Sequence, residues 1–199
     1  MPFQAKFSHV FDHTWDRVTQ AFWLKYQSPR MAHIKEVIVL NRSVDDAGRL
    51  STRRLVVAQL KVPTILASFV ARRIDSWYAI EDTLVDAKAR QLQVTMRNVS
   101  YGRVVEAVQY STYKPGPDGD DTTLLETTVD IKCASTVPWF IRPRAEAAMG
   151  KEQSKSYNNT LSIMEELCVA LRADASFKPS RPPPAATASS HGAMDVHVV

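Results

Sequence analysis

Glycine is scarce in this 199-residue chain, with six in all, and cysteine is scarcer, with two. Glycines so few leave no Gly-rich loop to cradle a phosphate, which excludes the nucleotide-binding fingerprints. Cys133 and Cys168 supply neither a disulfide framework nor a metal cluster, and both read as small buried apolar residues. No run of about 18 apolar residues occurs, so a membrane-spanning helix is not expected. The five histidines (His9, His13, His33, His191 and His197) follow no ligand spacing, and the GxSxG and HExxH patterns are missing. Asp45-Asp46 and Asp120-Asp121 lie in turn sequences, where aspartate is ordinary. Without a nucleophile beside a base, a carboxylate pair or a metal-ligand set, the chain is expected not to be an enzyme and to need no cofactor and no metal. Blocks of one charge sign are missing as well. The net charge is +4, but the cations are interspersed with acids, which argues against nucleic acid and fits an anionic membrane surface at least as well.

What is present is an ordered set of elements. Phe3, Ala5, Phe7 and His9 alternate with Gln4, Lys6, Ser8 and Val10, the period of a strand ending near Phe11. The N-terminus lacks a basic region followed by an apolar block, so no cleavable secretory signal is expected. Asp12 has the chemistry to cap a helix on which Trp15, Val18, Phe22 and Tyr26 recur at helical spacing until Ser28-Pro29. Their ordinary role is core packing. Ile34 to Val44 is β-rich, and the DDAG turn after it places Gly48 at a positive φ. A second strand follows to Leu60. Pro63 and Thr64 then open a short amphipathic helix whose stripe is Ile65, Leu66, Phe69 and Val70, read either as a packed helix or as a mobile lid that meets lipid. From Trp77 the chain is a meander of strands, with PGPDGDD, residues 115–121, as a solvated hairpin loop before the last strand. There Leu125, Thr127, Val129, Ile131 and Cys133 take the inward parity. That makes seven strands.

Pro138 and Pro143 lead into a final helix, roughly Pro143 to Leu171, with Leu161, Met164, Leu167, Cys168 and Leu171 as its core stripe. Arg144, Lys151 and Lys155 fall on another face, either as a solvated basic surface or as a rim that touches phosphate. Beyond Ala173 the sequence is rich in Pro, Ala and Ser and aperiodic, so residues 173–199 are expected to be a disordered tail. The order of elements implies an α+β fold in which a curved, seven-stranded antiparallel sheet grasps the long C-terminal helix, with a short lid helix over an internal cavity, an arrangement that resembles the START-like helix-grip.

The stretch from Phe22 to Pro63 carries the functional clue. Leu50, Thr52, Arg54, Val56, Ala58 and Leu60 share one face of their strand, so Arg54 stands among apolar neighbours. A cation there needs an anion. Lys25, His33 and Lys61 stand at the ends of these elements, where they can meet around a cavity mouth. An apolar hollow with a cationic entrance is the outline of a phospholipid site.

These pieces also carry a family resemblance. FDHTWDRVTQAFWLKYQSP, His33, NRSVDDAGRLSTRRL, KVPTI, WYAIEDTLVD, the NVS of residues 98–100 and the YKPGP of residues 113–117 together resemble the PRELI domain family, collinearly over about residues 1–172. The resemblance implies a lipid transfer protein of the mitochondrial intermembrane space that carries phosphatidic acid, for cardiolipin synthesis, or in the Slowmo-like branch phosphatidylserine, between the outer and inner membranes. It implies a partner as well, a small helical twin Cys-x9-Cys protein. By position it places Lys25, His33, Arg54, Lys61 and Lys155 around the lipid headgroup, and Val62, Ile65, Leu66, Phe69 and Val70 on a lid that contacts membrane. Glu152 stands where relatives often have Asn, and Ala58 where some carry Lys. Two other classes are weighed against this: a protein-interaction module with no lipid cavity, and a hydrolase or cyclase using the same hollow.

Overall fold

The structure, a computed structural model, describes residues 3–59 and 76–173. The expected lid helix, with Val62, Ile65, Leu66, Phe69 and Val70, therefore lies outside the described residues, as do Lys61 and the tail beyond residue 173. The elements are β1 (Phe3–Phe11), α1 (Trp15–Leu24), two single 3-10 turns (Lys25–Gln27 and Pro29–Met31), β2 (Ile34–Val44), β3 (Leu50–Ala58), β4 (Trp77–Asp86), β5 (Gln91–Asn98), β6 (Val105–Gly116), β7 (Gly119–Cys133) and α2 (Arg142–Ala173).

All seven strands pair antiparallel in the order β1-β7-β6-β5-β4-β3-β2. Short connections explain why β2 neighbours β3 and why β4 to β7 follow one another in sequence order. At the β2–β3 turn Asp45 accepts backbone N–H bonds from Ala47 and Arg49, and Gly48 has φ +82°. That conformation is one a side chain would strain, and glycine was expected there. β6 and β7 extend into the stretch read as a solvated hairpin loop, so the hairpin is tighter than expected. Pairing continues to Gly116 opposite Gly119, and the irregularity between Pro115 and Gly116 accommodates the proline within the ladder.

α1 buries Trp15, Val18, Ala21 and Phe22 as its spacing requires. Its N-cap is Thr14 rather than Asp12, and no side chain caps it. It also stops earlier than the Ser28-Pro29 boundary. Leu24 ends the α-helix, and a 3-10 turn follows that points Lys25 into the interior.

α2 lies against the same face of the sheet. The Tyr157 ring stacks on Phe7 of β1, with centroids 4.6 Å apart, and Met164 and Cys168 join Phe11, Trp15, Phe22 and Leu125 in one core. Leu161, Leu167 and Leu171 pack against that core, completing the expected stripe. Nearer its start, α2 approaches β1 so closely that a Cβ on Gly150 would come 2.3 Å from the Phe3 ring. Only glycine fits there without movement of the ring. Buried Glu146 accepts the Cys133 backbone N–H at 2.8 Å, which ties the end of β7 to α2. Both cysteines are free and buried, and burial pushes the Cys168 thiol up to about 12, as befits an inert thiol. Among the described residues no helix is long and apolar enough to cross a membrane.

Candidate lipid-binding cavity

Between the concave sheet and the helices is a cavity of about 540 Å³, within the roughly 300–1,000 Å³ usual for ligand sites. Phe22, Met31, Val56, Val94, Met96, Leu125, Leu161 and Met164 give it apolar walls. Among the polar groups that interrupt those walls are two sets. One group is Lys25, Tyr26 and Glu81; the other is Gln109, Ser111, Thr127 and Gln153.

The first group follows from strand register. Arg54 on β3 stands directly opposite Glu81 on β4, and both face inward, 5% and 0% exposed. Arg54 donates from Nε to Glu81 Oε1 at 2.7 Å, and Nη2 bonds the same oxygen. The other carboxylate oxygen accepts from the Tyr26 hydroxyl at 2.8 Å and from Lys25 Nζ at 3.3 Å. Aromatic faces complete the enclosure. Lys25 Nζ lies 3.7 Å from the Phe22 ring centroid, and the Arg54 guanidinium 4.5 Å from that of Trp23, both within cation–π range.

Two cations around one carboxylate leave one positive charge in a low-dielectric wall. Burial pulls the Lys25 ammonium down to about 8, with Glu81 opposing the shift and Arg54 adding to it. Burial by itself would raise Glu81, but the Lys25 and Arg54 charges and the Tyr26 bond outweigh it and hold the carboxyl below its ordinary range. Burial, with Glu81 beside it, raises the Tyr26 phenol well above its usual value, so it stays a hydrogen-bond donor. The arrangement can receive an anion. It offers no free base.

The residues expected at the headgroup fall into different environments. Lys25 and Arg54 come together, but Lys25 is buried in the cavity wall rather than at an entrance, because the 3-10 turn after Leu24 swings it towards Glu81. Arg54 backs that wall, with Glu81 between it and the hollow. His33, at the start of β2, lines the cavity, and partial burial lowers its pKa. Lys155 lines the rim and is 62% exposed, bonded to Glu152 at 2.7 Å, three positions earlier on α2. Arg144 and Lys151 are exposed on the same helix.

Glu81 escaped the sequence reading although its signal was present. In WYAIEDTLVD the inward parity is Trp77, Ala79, Glu81, Thr83 and Val85, so a carboxylate interrupts that face as Arg54 interrupts the face of β3. The anion required by Arg54 is supplied by the chain itself.

A curved antiparallel sheet closed around a terminal helix, with a ligand-sized hollow between them, defines a helix-grip binding fold of the START type. A START superfamily protein from Mycobacterium smegmatis shares the fold at a TM-score of 0.51 and 15% identity, over 84% of this chain and 98% of that one. The PRELI-like family profile matches residues 16–174, and the chain belongs to that family. It is similar to UPS-like protein C36.10 of Schizosaccharomyces pombe, with 26% identity over 161 residues, 80% of this chain and 87% of that protein. It is also similar to Protein UPS1, mitochondrial, of Saccharomyces cerevisiae, with 28% identity over 109 residues. That second match covers 55% of this chain and 62% of the yeast protein, less than two thirds of its length.

Proposed function

We propose that the chain is a mitochondrial phospholipid carrier, not an enzyme, and that its cargo is phosphatidic acid moved between the outer and inner membranes for cardiolipin synthesis. The observation that carries this reading is the surplus positive charge of Lys25 and Arg54 over Glu81 in the wall of a cavity with long apolar stretches. A phosphate meets that charge while acyl chains lie along Phe22, Val94, Met96 and Leu161. Transfer without covalent chemistry agrees with a carboxylate that four hydrogen bonds already occupy.

Docking on a bilayer has its own surface features. Trp139 and Phe140, 77% and 63% exposed, stand between β7 and α2, followed in sequence by Arg142 and Arg144. Aromatics flanked by cations suit the interface of an anionic membrane. The same reading puts the chain in the intermembrane space beside a small helical twin Cys-x9-Cys partner, supported by family membership and tested by protease protection in mitochondria with ruptured outer membranes.

The deciding experiment is transfer between vesicles with each headgroup in turn, together with mass spectrometry of lipid that co-purifies. Phosphatidic acid should move faster than phosphatidylserine or phosphatidylcholine, and more slowly as salt rises. Faster movement of phosphatidylserine would reassign the cargo. No co-purified lipid and no transfer above the protein-free rate would discard the carrier reading.

A further inference from the structure

The second polar group on the cavity wall is a continuous chain of uncharged hydrogen bonds. Gln153 Nε2 donates to Gln109 Oε1 at 2.7 Å, Gln109 Nε2 donates to Ser111 Oγ at 3.1 Å, and Ser111 Oγ shares a hydrogen bond of 2.9 Å with Thr127 Oγ1. Gln153 belongs to α2 and the other three to β6 and β7, so the chain joins helix to sheet beside the hollow that all four line. Ser111 and Thr127 are buried.

Register fixes where this chain stands relative to the charged cluster. Arg54, Glu81, Met96, Gln109 and Val129 form one cross-strand row. Gln109 is thus two strands from Glu81, about 10 Å at the usual strand spacing, with only Met96 between them. Ser111 and Thr127 occupy the next row on the same face, beside Val94. The concave face therefore presents a positive site and a neutral site on either side of an apolar strip on β5.

Amides and hydroxyls in an apolar wall are costly unless bonded, and leucine or methionine would fill the space of either glutamine. The chain satisfies its members only in part. Among the described residues, the second amide hydrogens of Gln109 and Gln153 and the Gln153 carbonyl oxygen have no partner. Neutral donors near a cationic site suit an uncharged acceptor held a fixed distance from an anion. In a glycerophospholipid the acyl ester carbonyls are such acceptors, separated from the phosphate by the glycerol.

We infer that Gln109, Ser111, Thr127 and Gln153 form a second subsite, which holds the ester carbonyls of a lipid whose phosphate lies at Lys25, and which makes the protein selective for diacyl over dialkyl lipids. The subsite rests on the carrier reading. Its test is binding and transfer by the full chain of two phosphatidic acids with equal chain lengths, one diester and one diether. The wild-type protein should prefer the diester by about tenfold, the effect of one or two neutral hydrogen bonds. In Gln109→Leu with Gln153→Leu the ratio should fall to about one. Equal uptake of both lipids by the wild type overturns the subsite alone, and that comparison needs no variant to fold. A double variant that melts like the wild type and keeps the tenfold preference also overturns it. If the wild type takes up neither lipid, the carrier reading falls and the subsite with it.

Discussion

Glu81 and Glu152 each meet cations beside the same cavity, yet Glu81 is fully buried and 62% of the Glu152 side chain is exposed. On the inner wall the carboxylate has lost its water, and Arg54, Lys25 and Tyr26 replace that hydration. At the rim Lys155 and Glu152 keep their water, and their mutual attraction is weak. One chemistry therefore has two uses, to hold a buried charge in place and to tune a surface field. Depth decides which.

Glu81→Gln should break this contrast most sharply. It leaves two buried cations without their anion, a loss of about 3–5 kcal/mol, read as a melting temperature lowered by about 10 °C or more. Replacing Arg54 and Glu81 together by Met and Leu removes one charge of each sign, so it should recover part of that stability, because apolar pairs can substitute for buried ion pairs. It should also keep phosphatidic acid binding, because the surplus charge stays on Lys25. A double variant that melts like the wild type but no longer binds the lipid would show that the surplus charge on Lys25 is not what holds the headgroup.

The next effect is on pH. Lys25 titrates near 8 when folded, below its ordinary 10.5, so its buried ammonium opposes folding below about pH 8, and that opposition fades as pH rises towards 10.5. A phosphate beside it favours the charged form, so binding takes up a proton above about pH 8. Affinity should fall as pH rises from 8 to 10 and level off below 8. The lipid titrates too, so the ratio of wild-type to Lys25→Met affinity is the quantity to measure; a ratio independent of pH would remove Lys25 from the headgroup site. The smallest effect is expected at the rim. Glu152→Gln and Lys155→Ala should each alter stability by less than about 1 kcal/mol, and should move vesicle adsorption at low salt in opposite directions, up and down. Identical adsorption by both variants would deny the rim any part in docking.

Much of the fold was legible because period-two and helical patterns are local. The bounds of β2 were read to the residue, the core stripe of α2 was found, and Gly48 was placed by turn chemistry. The misreadings arise where tertiary pairing overrides local signals. PGPDGDD has loop composition, but pairing of β6 with β7 carries the ladder into it. The early end of α1 brings Lys25 to Glu81, 56 positions away, a contact that no local signal contains. The odd cation on β3 was recognised. Its partner on β4 is identified only by the register that sets Glu81 opposite Arg54. The Gln109 to Thr127 chain needs the registers of three strands and the approach of α2, and no single stretch of sequence contains those.

β2 is the last strand of the sheet. It shifts register between Ile34 and Glu36 and again between Val39 and Asn41, and Lys35, Glu36 and Arg42 punctuate its apolar residues. Such irregularity spoils the straight, evenly spaced backbone that another polypeptide would copy. The bulged border thus guards against fibril-like stacking wherever many copies crowd onto one surface.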